Sequence, residues 1–90
     1  MDKRIHVYYS GIVQGVGFRF TAERIAQQAR LCGYVRNLDD GRVEVVCEGS
    51  EASLGDFLSR VQQIFDGQIR DTNVERQNAT GEFNGFDIRF

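Results

Sequence analysis

The sequence predicts an α+β domain on the ferredoxin-like, split βαβ plan (βαββαβ), an antiparallel sheet carrying two helices on one face. Three observations lead there. Runs of alternating apolar residues flank two segments whose apolar residues recur at helical spacing. The glycine-rich stretch "GIVQGVGFR" (Gly11–Arg19) separates the first run from the first helical segment. "LDDG" (Leu38–Gly41) carries the Asp-Gly signal of a hairpin in mid-chain.

Taken in order, Ile5–Val13 reads as a strand, because Ile5, Val7, Tyr9, Gly11 and Val13 share one face at period two. Thr21–Cys32 reads as a helix with the apolar stripe Ala22, Ile25, Ala26, Ala29 and Cys32, and with Gly33 as its stop. Its small alanines predict close packing on a sheet. Tyr34–Asn37 is a short strand. Arg42–Glu48 returns as another, with Val43, Val45 and Cys47 facing one way and Glu44, Val46 and Glu48 the other. Leu54, Phe57, Leu58, Val61, Ile64 and Phe65 mark a second helix; Ser50 or Ser53 can cap its start, and Gly67 suits a left-handed end. A weakly marked strand anchored by Val74 lies within Ile69–Gln77, "NATGEFNG" is a loop, and Phe86, Ile88 and Phe90 alternate in a closing strand.

Ninety residues with 41% hydrophobic content suit a single domain spanning 1–90. No apolar stretch approaches the roughly 18 residues of a membrane span, and the N-terminal segment lacks the long apolar core of a secretory signal. A cytoplasmic setting is expected. Formal charge is −2, from 11 basic and 13 acidic residues interspersed along the chain. The absence of a Lys/Arg cluster argues against nucleic-acid backbone as the main partner, whereas a small anion needs only one positive spot. Cys32 and Cys47 form no CxxC pair and read as buried free thiols. His6, the only histidine, has no second ligand at recognisable spacing, so no metal site is predicted. It reads as an ordinary strand residue, and Asp39 and Asp40 read as turn residues.

The loop Gln14–Arg19 suggests chemistry. Glycines permit positive φ and close backbone approach, so several N–H groups can point at one ligand. The following helix adds unsatisfied amides and a partial positive charge, together a cradle for phosphate or carboxylate. Arg19 falls in or just before the first helical turn, where a cation is unfavourable by a few tenths to about 1 kcal/mol. An anion held between the two would resolve the conflict, and a guanidinium can grip two phosphoryl oxygens at once. The pattern alone also fits a plain glycine turn with a solvated arginine. It is not a Walker A loop, and "GVGFRF" lacks the third glycine of a dinucleotide fingerprint.

"VQGVGFR" (Val13–Arg19), followed by "GYVRNLDDGRVEVVCEG" (Gly33–Gly49) and closed by "GFDIRF", resembles the signature segments of the acylphosphatases from about Arg4 to Phe90. The resemblance implies a small enzyme, without metal or other cofactor, that cleaves the carboxyl–phosphate bond of acyl phosphates. It implies that Arg19 binds the phosphoryl group, that Asn37 orients the attacking water, and that the backbone of Gln14, Gly15, Val16, Gly17 and Phe18 completes the phosphate cradle. Alone, Asn37 reads as a hairpin residue; in the split βαβ plan, however, its strand runs parallel to the first and ends beside the loop. The expected partner is a small acyl phosphate, with no nucleic acid and no membrane, and the expected state is a monomer. Two alternatives share the fold. One is an RNA-binding sheet using Tyr8, Tyr9 and Phe86; the other is a non-catalytic acylphosphatase-like segment of a larger maturation protein. The opening methionine and the closing strand favour a free-standing enzyme.

Overall fold

The computed structural model describes residues 2–90. Its elements are β1 (Lys3–Gly11), α1 (Phe18–Gln28), β2 (Cys32–Asn37), β3 (Val43–Gly49), α2 (Glu51–Ile64), β4 (Ile69–Asn78) and β5 (Phe86–Arg89). The sheet order is β4-β1-β3-β2-β5. The first four of these strands pair antiparallel, as the split βαβ plan requires. The sheet is nonetheless mixed, because β5 lies parallel to β2 at the edge. The reason is connectivity: after β4 the chain crosses from one edge of the sheet to the other, and so enters β5 running alongside β2.

Both helices cover one face. Ile5, Val7, Tyr9, Val35, Val43, Val45 and Cys47 meet Phe18, Ala22, Ile25, Ala26, Leu54, Phe57, Val61 and Phe65 in a single core. Tyr9 and Phe86, which the RNA-binding alternative would need on the sheet surface, are both buried on this side. Ile64, expected in the core stripe of α2, is 54% exposed; it lies beside Thr21, Arg24 and Arg60, while Phe65 after it fills the core. Burial pushes the Cys47 thiol up to about 12. Both cysteines are free, but Cys32 is only half-buried. Cys32 pairs with Glu48, and therefore points to the opposite sheet face from Cys47.

The helix ends differ from the expectation. α1 starts three residues earlier and stops at Gln28. Its stop is not Gly33 but Arg30, in the left-handed region at φ 59°, with Leu31 N–H bonded to Ala26 O and Arg30 N–H to Gln27 O. Gly33 instead sits inside β2 at φ 146°, where a Cβ would overlap the Val46 carbonyl oxygen and the Cys47 Cα. α2 starts as expected, with Ser50 Oγ accepting from Ser53 N–H. Gly67 is not in the left-handed region.

The face without helices is held by buried carboxylates. Every residue of β3 is buried, including Glu44 and Glu48. Glu44 contacts His6 and Arg36; the carboxylate partner of His6 is 38 positions away and could not be seen in sequence. Glu48 accepts from Arg4 Nε at 2.7 Å, Thr80 N–H at 2.9 Å and Gly81 N–H at 3.0 Å. It thereby pins the strap of residues 79–85 that carries the chain to β5, and Phe83 stacks edge-on to Tyr34 of β2. Burial pushes both carboxyls up, but these hydrogen bonds outweigh it and hold each below its ordinary value of 4.5.

Two outcomes follow. Gly33→Ala should cost about 3 kcal/mol or more in urea unfolding, because it combines a forbidden φ with backbone overlap. A carboxyl held low in the folded state adds stability that is fully present above its unfolded value and lost as pH falls through the folded one. Urea midpoints should therefore drop as pH falls below the ordinary carboxyl value of 4.5. Glu48→Gln should be weaker at neutral pH but show a shallower drop.

Candidate active site

β1 and β2 run in the same direction on either side of β3, so Gly11 and Asn37 end at the same edge of the sheet. The helix that connects them packs over β2 and must begin where β1 ends. This is what brings a loop following β1 next to a residue closing β2. A cavity of about 160 Å³ lies there, lined by Val13, Gly15, Gly17, Phe18, Arg19, Phe20 and Asn37. It is smaller than the several hundred Å³ of drug-sized pockets and suits a compact group such as a phosphoryl.

The loop gets its shape from two glycines. Gly15 (φ 77°) and Gly17 (φ 80°) are left-handed, and neither has anything within 4 Å of where a Cβ would stand. Backbone conformation, not crowding, therefore explains them. Gly17 is the N-cap of α1 and provides no side-chain cap. The first helical bond is Thr21 N–H to Gly17 O, so the amides of Phe18, Arg19 and Phe20 have no partner within the helix. No acidic residue stands in this first turn, whereas α2 has both a serine cap and Glu51. The chain closes one helix start and leaves the other bare. Phe18 anchors the turn, its ring buried between Tyr9 and Phe65 at centroid distances of 5.0 and 4.5 Å.

Arg19 is the second residue of α1 and forms no ion pair among the described residues. Its guanidinium lies 4.9 Å from the ring centroid of Phe90, which is itself 94% exposed. Asn37 shares the core-facing side of β2 with Val35. Its Oδ1 is buried without a hydrogen-bond partner. A buried carboxamide oxygen left open beside an arginine and free amides is a site for a polar ligand. Gln14 and Val16 lie in the loop but not on the cavity wall, and Val16 is partly exposed. The Gln14 side chain turns instead toward the hairpin, donating to Leu38 O at 2.8 Å and Arg42 O at 2.9 Å.

The chain is similar to known proteins over nearly its whole length. The family model described as acylphosphatase matches residues 5–88. An acylphosphatase of Synechococcus is 43% identical over 86 residues, covering 96% of this chain and 92% of the relative. One from Haloarcula marismortui is 43% identical over 91 residues, covering 97% and 96%. The crystal structure of the Bacillus subtilis acylphosphatase superposes with a TM-score of 0.89 at 31% identity, covering 98% of this chain and 99% of that one. The chain belongs to the acylphosphatase family. An acylphosphatase is a hydrolase acting on acyl phosphates, and matches of this length carry that class over to this chain.

In this acylphosphatase, Arg19, Asn37, Gly15, Gly17 and Phe18 are brought to one cavity. Phe20 stands on the cavity wall, where sequence reasoning put it or in the core. Sequence reasoning missed Phe90 against Arg19 and the hairpin contacts of the Gln14 side chain. Phe90 carries no signal beyond being aromatic, and the two acceptors of Gln14 are peptide carbonyls, which every residue has. Asp40 is the turn residue expected, accepting from Arg42 N–H at 3.1 Å. Among the described residues no three His, Cys, Asp or Glu side chains converge as metal ligands, and no helix is long and apolar enough to cross a membrane.

A cavity so lined should take up inorganic phosphate. Titrated phosphate should raise the melting temperature, by about 2.7 kcal/mol of added stability at a hundred times its Kd. Arg19→Ala should abolish the shift.

Proposed function

We propose that the cavity performs the acylphosphatase reaction with Arg19 and the loop amides holding the phosphoryl group and Asn37 directing water onto it. One observation carries this reading: Asn37, whose buried Oδ1 has no partner, lines the same cavity as Arg19 and the bare start of α1. A carboxamide oxygen accepts a hydrogen bond from water, without taking the proton, and so sets its direction. The guanidinium and the amides of Gly15, Gly17 and Phe18, the residues of the loop on the cavity wall, stabilise charge on the equatorial phosphoryl oxygens.

Water attacks phosphorus as the bond to the carboxylate oxygen breaks. The water oxygen becomes part of the phosphate, its second proton passes to a phosphoryl oxygen, and the acyl group leaves as a carboxylate. The leaving group is stable as an anion, so no general acid is required, and His6 is not needed for one. His6 is bound to Glu44 on the far side of the sheet from the helices. Positioning and charge stabilisation supply the acceleration. The small-molecule partner is thus an acyl phosphate, handled by the chain alone, as a monomer in the cytoplasm.

A second reading has one observation behind it. A full-length HypF in a phosphate- and nucleotide-bound form superposes with a TM-score of 0.86 at 25% identity, covering 100% of this chain but 12% of that one. The fold thus also occurs within a much longer protein. Turnover by the isolated chain separates the readings. The RNA-binding alternative is disfavoured, because two of its three aromatics, Tyr9 and Phe86, are buried.

The test is hydrolysis of benzoyl phosphate with a chelator present. Wild type should be unaffected by the chelator. Arg19→Ala and Asn37→Ala should each lose on the order of 10²-fold or more in kcat/KM. Inhibition by inorganic phosphate should vanish in Arg19→Ala and persist in Asn37→Ala. Its loss in both would refute the division of roles.

A further inference from the structure

We propose that Gln14 is a positioning residue, its carboxamide locking the phosphate loop to the β2–β3 hairpin so that Asn37 is held at the correct height over the cavity. The proposal rests on the role given to Asn37 above. Gln14 directly follows Val13, which is fully buried and lines the cavity. Its Nε2 has two protons, and both are used: one bond goes to Leu38 O at 2.8 Å and the other to Arg42 O at 2.9 Å. The opposite amide orientation would set Oε1 against two carbonyl oxygens, so the acceptors determine which end is nitrogen.

Those carbonyls are the two that close the hairpin. Leu38 N–H bonds to Arg42 O at 2.8 Å, and Gly41 N–H bonds to Leu38 O at 3.2 Å. Leu38 is the residue after Asn37, and Asn37 pairs with Val43, the residue after Arg42. One side chain therefore grips both strands of the hairpin just beyond the residue that aims water. Among the described residues, these are the only hydrogen bonds joining loop residues 14–17 to that hairpin.

The Asn37 carboxamide has no such anchor of its own. Its Oδ1 is unpartnered, and its place depends on the backbone that carries it. That backbone is tied on one side by the ladder to β3; on the other the pairing with β5 stops at Arg36, and beyond it Gln14 holds the hairpin. Loss of the Gln14 bonds would leave Arg19 and the loop amides in place but let the hairpin shift against them. Misplacement by about 1 Å at a reacting centre can cost a hundredfold in rate.

The test uses Gln14→Met, which keeps the length and removes the donors, and Gln14→Asn, which keeps the amide but falls short of the two carbonyls. Melting temperature and circular dichroism establish folding, and at least one of the two is expected to fold. With benzoyl phosphate, the folded variant should lose about tenfold to a hundredfold in kcat, while inhibition by inorganic phosphate stays at the wild-type level. In an Asn37→Ala background the same substitution should cause no further loss, since it acts through Asn37. Wild-type kcat in a folded Gln14 variant, or a loss that multiplies with that of Asn37→Ala, overturns the proposal. So does phosphate inhibition weakening in step with kcat, which would place Gln14 in phosphate binding. If Asn37→Ala is itself fully active, the parent reading fails and this one with it; if Asn37→Ala is inactive and Gln14→Met is normal, only this one fails.

Discussion

The positive end of α1 is left uncompensated, and the rest of the site is arranged around that fact. Gly17 turns the chain into the helix without capping it, no acid stands in the first turn, and Arg19 adds a full charge where the helix already presents a partial one. Each choice costs some stability in the free protein. α2, capped by Ser50 and headed by Glu51, shows that the same chain closes a helix start where nothing is to be bound. A dianion reverses the sign of each unfavourable term at α1 at once.

The remaining architecture keeps that end still. Phe18 is wedged between Tyr9 and Phe65, so the turn that begins the helix is anchored by core packing while its amides face the cavity. Gln14 ties the loop to the hairpin. At the opposite end of the sheet, Glu48 gathers Arg4, Thr80 and Gly81 and holds the strap leading to β5. The Glu48 cluster and the cavity thus lie at opposite ends of β3, whereas Glu44 stands near the cavity end but on the other face of the sheet.

Much of the fold was legible because its signals are local. The α2 stripe of Leu54, Phe57 and Val61 and the alternation of Ile5, Val7 and Tyr9 both come from chain periodicity, and both are buried as expected. One difference has a local cause and another does not. Arg30 ended α1 in a left-handed conformation usually reserved for glycine, so Gly33 was free to serve as the point in β2 where the sheet backbone comes closest. The fifth strand's parallel pairing depends on a crossing over the sheet that no short window of sequence encodes.

The sequence by itself determined the element order, the pliable loop before the first helix and the presence of Arg19 within it. These follow from spacing along the chain, and so does the motif resemblance that pointed to the family. The split βαβ plan already placed Asn37 beside the loop; tertiary structure alone decided that its oxygen is left without a partner and that the Gln14 side chain faces the hairpin rather than the cavity. Glu44 and Glu48 likewise became buried hubs only through partners far away in sequence. The physical reason is one of range: backbone preference and side-chain period act over a few residues, whereas hydrogen-bond satisfaction is settled only when distant strands have paired.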